Sequence, residues 1–64
     1  MYQPHPQAIW FWKTCTLQGE VCRVGTLEGE QYQWAVLTPY GQLLHKGLAR
    51  TLPEAKRAVW NLMP

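Results

Sequence analysis

The sequence lacks most of the residues that hydrolytic and transfer enzymes use. It has no aspartate and no serine, and it has only four carboxylates, at Glu20, Glu28, Glu30 and Glu54. The first three border expected turns and the fourth lies at an expected helix start, so paired-carboxylate and serine-triad sites are absent or badly placed. We therefore expect a protein that is not an enzyme and has no small-molecule substrate.

Cysteine is almost as scarce. Cys15 and Cys22 are too few for a disulfide scaffold or a four-thiolate zinc site, and their spacing differs from that of a zinc knuckle. Two alternatives stay open: a Cys22–His45 catalytic pair, and a metal site formed by Cys15, Cys22, His45 and His5. We expect a buried thiol instead, with no metal and no other cofactor.

Long apolar runs are also missing, because no stretch approaches the roughly 18 residues that span a bilayer. The 64-residue chain starts at Met1 without a leader pattern. We therefore expect one complete, cytoplasmic domain with no membrane contact. A domain of this size is marginally stable by itself, so oligomerisation is the expected additional source of stability.

Turn signals divide the chain. Residues 1–7 hold two prolines and predict a flexible arm, and residues 8–64 form the expected domain. Thr16–Glu20 returns as Thr26–Glu30, which indicates two hairpin turns at Gln18-Gly19 and Glu28-Gly29. A third turn is marked by Pro39 and Gly41. The predicted strands lie near residues 8–17, 20–27, 31–38 and 42–49.

The last segment carries a capping box. Thr51 is the expected N-cap, Pro53 lies in the first turn and Glu54 is placed to reach back. Apolar residues then recur at helical spacing, which predicts a helix over 52–62. The fold class expected is α+β, a small antiparallel β-meander packed against one C-terminal helix.

Counting outward from the turns assigns the sheet faces. Two-residue loops at the first two turns and a three-residue loop at Pro39 place Cys15 opposite Cys22, Arg23 opposite Trp34 and His45 opposite Ala35. One helix covers one face, so the other face needs a second subunit, a partner or closure into a barrel. We expect this second face to be a protein interface, with these candidate residues: Phe11, Val24, Leu37 and Leu43.

Nucleic-acid binding is the alternative. The net charge is +2, and the candidate contacts are Arg23, Lys46, Arg50, Lys56 and Arg57. Residues 32–36, 46–49 and 51–56 resemble the sheet-then-helix halves of the integrase arm-binding group and of the double-stranded-RNA-binding domain. The resemblance covers about half of the chain and implies binding of DNA or RNA. The chain departs from the first pattern at Gln33, Ala35, Leu37 and Leu43, where that sheet carries arginines, and from the second by lacking a first helix.

The chain is unusually rich in tryptophan, with four in 64 residues. Large aromatics fill small cores and are also enriched in interfaces, and a cage of aromatic rings around a cation is a third class of site. Apolar surface exceeds positive charge, so we expect a small regulatory or accessory module of bacterial, phage or plasmid type. It is expected to act through protein–protein interaction as a homodimer or with another partner.

Overall fold

A computed structural model describes residues 8–63, and the expected arm at residues 1–7 lies outside that range. Four antiparallel strands are followed by one helix: β1 (Ala8–Lys13), β2 (Gln18–Thr26), β3 (Gly29–Leu37), β4 (Leu43–Ala49) and α1 (Leu52–Leu62). The strands are neighbours in sequence order, which makes the sheet a simple meander. The predicted α+β class is confirmed.

The start of α1 is fixed by its own side chains. Thr51 adopts an extended backbone, and its Oγ1 accepts a hydrogen bond from the Glu54 amide at 3.3 Å. The Glu54 carboxylate in turn accepts from the Arg50 amide at 3.4 Å. The first bond satisfies an amide that the first helical turn leaves without a partner, and the second ties the Glu54 side chain to the residue before the N-cap. Within the described part of the chain, no helix is long and apolar enough to cross a membrane.

The core lies between α1 and one face of the sheet. Val36, Val59 and Met63 are its buried cluster, with Trp10 and Trp34 packed against them. The helix lies over β2, β3 and β4, and none of its Cα atoms comes within 8 Å of a Cα atom of β1. Strand β1 therefore reaches the helix through a side chain: the Trp10 ring meets that of Trp60 edge-on, with centroids 5.8 Å apart.

Two glycines allow the layers to approach closely. A Cβ on Gly19 would overlap Cγ1 of Val59 and lie 3.0 Å from the Met63 sulfur. A Cβ on Gly47 would lie 2.5 Å from the Trp34 ring, which rests on that glycine. Val59 of the helix and the Trp34 ring thus pack directly against the backbone of Gly19 and Gly47. Gly19 serves this packing and does not form a turn.

The first two predicted turns are wrong by one or more residues. The first loop is residues 14–17, where the Thr14 amide donates to the Leu17 carbonyl at 2.9 Å, and Gln18 and Gly19 lie inside β2. The second loop consists of Leu27 and Glu28, closed by a Thr26–Gly29 pair, and Gly29 takes a φ of 116°. The predicted pairs shift accordingly.

The third turn is as predicted, but a bulge follows it. Residues 39–41 form a three-residue loop between Thr38 and Gln42, with Gly41 at a φ of 91°. Leu37 pairs with Leu43, whereas Val36 pairs with His45, so Leu44 is an extra residue in β4. An inserted residue exchanges the faces of everything beyond it. Lys46 and Leu48 therefore lie away from the helix.

The predicted register fails at each specific pair. Arg23 lies opposite Tyr32, and Trp34 lies between Val21 and Gly47. Cys22 lies opposite Gln33 and Ala8, while Cys15 belongs to the first loop. The proposed row of cysteine, Ala35 and histidine does not form, since Ala35 pairs with Glu20 and Lys46.

Replacing Gly19 by alanine should destabilise the fold. Val59 is fully buried and its β-branched side chain is stiff in a helix, so it cannot swing away from the added methyl group. We expect a loss of about 1–3 kcal/mol in the free energy of unfolding, the usual cost of overpacking. Urea denaturation followed by tryptophan fluorescence measures it.

Gly25→Ala is the matched control, because a Cβ there meets no atom within 4 Å. Its unfolding free energy should stay within about 0.5 kcal/mol of the parent value, as surface substitutions usually do. Equal losses for both variants would contradict the packing described for Gly19.

Candidate functional site: the open sheet face

The sheet has a helix face and an open face. Gly19 and Val36 point to α1, so their neighbours along each strand point the other way. Cross-strand pairs place the open-face residues in three rows. These rows are Lys13, Gln18, Leu37 and Leu43; then Phe11, Glu20, Ala35 and Lys46; then Ala8, Cys22, Gln33 and Leu48.

The open face is buried at one end and exposed at the other. We call the end near residues 14–17 and 38–42 the loop end, and the end near Leu27 and Glu28 the hairpin end. At the loop end Gln18, Glu20 and Leu37 have 1%, 7% and 6% of their surface exposed. Exposed side chains dominate the edge strands and the hairpin end. Binding surface is therefore available along the edges and toward the hairpin.

Apolar side chains line that available surface. Phe11 is 36% exposed, Leu43 48% and Leu48 59%, while Val24 is half-buried. Three of the four predicted interface residues are thus accessible on the predicted face. Leu37 is not, because it lies between Gln18 and Leu43 at the closed loop end. A charge at Leu37 would test folding and not binding.

Two adjoining cavities run along the open face. The first, of about 360 Å³, is lined by Glu20, Cys22, Arg23, Val24, Gln33, Ala35, Leu43 and Lys46. The second, of about 570 Å³, lies toward the hairpin and is lined by Val24, Gly25, Thr26, Gln33, Lys46, Gly47 and Leu48. They share Val24, Gln33 and Lys46, so they form one continuous groove. Both aliphatic and polar side chains line the groove, and a concave surface of this kind is a candidate binding site.

Lys46 is the charge at the centre of this groove. It is exposed, it lines both cavities, and it lies opposite Ala35 in β4. Leu48 follows two residues later on the same face, beside Gln33. An occupant that offers an apolar side chain and a nearby carboxylate would satisfy both positions.

The cysteines and His45 do not meet. Cys15 is exposed in the first loop, Cys22 is on the open face, and His45 pairs with Val36 on the helix face. Burial raises the pKa of the Cys22 thiol, and the neighbouring Glu20 carboxylate raises it further. A raised pKa lowers the thiolate fraction, which disfavours nucleophilic chemistry. Among residues 8–63, no three His, Cys, Asp or Glu side chains cluster to hold a metal ion.

The five predicted nucleic-acid contacts do not share one face. Lys46 is on the open face, whereas Lys56 projects from the helix to the Trp10 ring, with its Nζ 5.8 Å from the centroid. The Nε atom of Arg23 lies 4.0 Å from the Oε2 atom of Glu30, and both side chains are mostly exposed. Arg50 lies between β4 and α1, where its amide donates to Glu54, and Arg57 is exposed on the helix.

Sequence reasoning missed Lys46 and Leu48 as residues of the open face. The bulge at Leu44 moved them there, and the adjacent leucines at 43 and 44 are its one visible signal, since they interrupt the alternation of a half-buried strand. It also missed Leu27, which the structure places fully exposed at the hairpin tip. The pairing of Thr26 with Gly29 is what places Leu27 in the two-residue loop.

Replacing Gln18 by methionine should stabilise the protein. The Gln18 side chain is 1% exposed, and neither its amide nitrogen nor its oxygen has a hydrogen-bond partner among the described residues. Removing a buried unpaired amide while keeping its shape should raise the free energy of unfolding by about 1 kcal/mol. Thermal and urea denaturation measure this change. A destabilised Gln18→Met would mean that the amide is bonded, for example to water.

The two cysteines should react at different rates. Cys15 is exposed, while Cys22 is half-buried and its pKa is raised, so less thiolate forms there at a given pH. Iodoacetamide at pH 7.5, followed by mass spectrometry of Cys15→Ala and Cys22→Ala, should show slower modification of Cys22. Raising the pH should accelerate Cys22 labelling. Equal rates in both variants would contradict the burial of Cys22.

Comparison with known proteins gives no relative: no family model, no curated protein and no solved structure matches this chain.

Proposed function

We propose that this chain is a small, non-enzymatic protein-interaction module that self-associates through its open sheet face. The observation that carries the proposal is the groove, in which Leu43, Leu48 and Val24 lie around Lys46, while Glu20 and Arg23 also line the first cavity. Aliphatic side chains mixed with a few charged and polar groups are typical of the interfaces of non-obligate complexes. A regulatory or accessory role in the cytoplasm, of bacterial, phage or plasmid type, fits a module of this kind.

A second copy of the chain is the occupant that the small core favours, because contact through the open face would bury apolar surface of both copies at once. A domain with six buried apolar residues in its described part gains most from such a contact. Dimerisation would cover leucines whose exposure is otherwise unfavourable.

Nucleic acid is the weaker occupant. Phosphate binding needs several cations on one surface, and here Lys46 and Lys56 lie on opposite sides of the sheet. The groove itself has two cations in its lining, Lys46 and Arg23, together with the carboxylate of Glu20. This arrangement favours a protein surface with a single complementary charge.

Replacing Leu48 by glutamate should break the dimer. Leu48 is 59% exposed, so the folded monomer tolerates the change, but a carboxylate would have to be buried in the interface. We expect the dimer dissociation constant to rise by about 100-fold, the effect of losing an interface hot spot. Sedimentation velocity over a range of protein concentrations measures it.

Tyr40→Glu is the control, since Tyr40 is 90% exposed in the third loop and the substitution adds the same charge. It should leave the dissociation constant unchanged, and circular dichroism should show that both variants fold. A monomeric parent protein at all concentrations would overturn the proposal. So would a complex with duplex DNA or RNA that forms at low salt and is lost in Arg57→Glu.

A further inference from the structure

We infer that the β2–β3 hairpin tip of one copy fills the open-face groove of a second copy, and that the two copies exchange tips reciprocally. The inference rests on the proposed function, because it names the segment that occupies the proposed interface. The tip is Thr26–Glu30, and the groove residues concerned are Val24, Lys46 and Leu48.

The hairpin projects beyond the rest of the described sheet. Strand β1 pairs with β2 only as far as Cys22, and β4 pairs with β3 only from Tyr32. Of the described strands, only β2 and β3 continue through residues 24–31. A two-stranded ribbon is marginally stable in water unless it packs against something. A contact with a second copy would stabilise this ribbon.

Leu27 is poorly placed for a monomer. It occupies the first position of the two-residue loop, and its side chain is fully exposed. Polar residues and glycine are the usual residues in such loops, and a leucine there exposes apolar surface to water without making a stabilising contact. The turn that carries it is held by two hydrogen bonds: Thr26 Oγ1 donates to the Gly29 carbonyl at 2.7 Å and accepts from the Glu28 amide at 3.2 Å. A turn whose backbone is already ordered loses less freedom when its apolar side chain makes a contact.

The tip and the groove are complementary. The groove needs an apolar side chain near Leu48 and a carboxylate near Lys46, and the tip presents Leu27 next to Glu28. The cavity at the hairpin end, of about 570 Å³, has room for a leucine side chain and the turn that carries it. Shape and charge therefore select the same segment.

The geometry also permits exchange in both directions. Gly25 and Thr26 of the hairpin line the same cavity as Leu48, so the tip and the groove lie at one end of one face. A two-fold axis that lies parallel to that face, perpendicular to the strands and just above Val24, would bring each tip over the other copy's groove. The two Val24 side chains would then meet at the axis. Reciprocal exchange closes the assembly at a dimer.

A charge exchange tests this arrangement. Lys46→Glu would face Glu28 of the second copy, and Glu28→Lys would face Lys46, so each variant alone should dimerise at least about tenfold more weakly than the parent. In a mixture, one contact is the original Glu28–Lys46 pair and the other is its reversal. The mixture should therefore recover dimers near the parent affinity, as measured by sedimentation and by native mass spectrometry of the heterodimer. Arg57→Glu, a charge reversal on the helix, should not weaken the dimer and should not form heterodimers preferentially with Glu28→Lys.

The outcomes separate the two proposals. Weak homodimers and a strong heterodimer support reciprocal exchange. If Lys46→Glu and Leu48→Glu weaken the dimer but Glu28→Lys and Leu27→Asp do not, the open face is the interface and the hairpin is not its occupant, so this inference is wrong while the proposed function stands. If all four variants dimerise like the parent, both are wrong.

Discussion

The close contact between Val59 and the backbone of Gly19 sets how near α1 lies to the sheet. It brings α1 down onto β2 and β3, and with one short helix the contact leaves β1 at the side, joined to the helix through the Trp10 and Trp60 rings. Because the described fold has one helix, the other face of the sheet has no helix over it. The open face is therefore a direct consequence of how the single helix packs, and any function must account for it.

Features that depend on neighbouring residues could be predicted from the sequence, whereas the strand register beyond Leu43 could not. The capping box at Thr51 and Glu54 and the loop at Pro39 and Gly41 were predictable, because both depend on a few residues next to each other. The grouping of Phe11, Val24 and Leu43 on one face was also predictable. This grouping survives the shifted turns because the β1–β2 register and the β2–β3 register each differ from the prediction by an even number of residues. An even shift preserves side-chain direction.

The register beyond Leu43 could not be predicted, because one extra residue at Leu44 changed it. Nothing local in the sequence demands that bulge, and yet it moves Lys46 from beside Trp34 to the open face. Gly47 takes its place, which lets the Trp34 ring lie flat on β4. Core packing therefore decides the register here: the bulge removes a lysine from the helix face and puts a glycine under the largest ring of the core.

That choice has a consequence on the other side of the sheet. Once Lys46 leaves the core, it stands in a groove that Glu20 and Arg23 also line, where its ammonium group is tolerable in water but needs a close carboxylate when water is excluded. Leu27 presents the opposite problem, since its apolar side chain is fully exposed and is stabilised only by a contact that excludes water. The two problems have one solution if each chain supplies what the other needs. A domain too small to bury its own surplus would then gain stability from association, and its stability would rise with protein concentration.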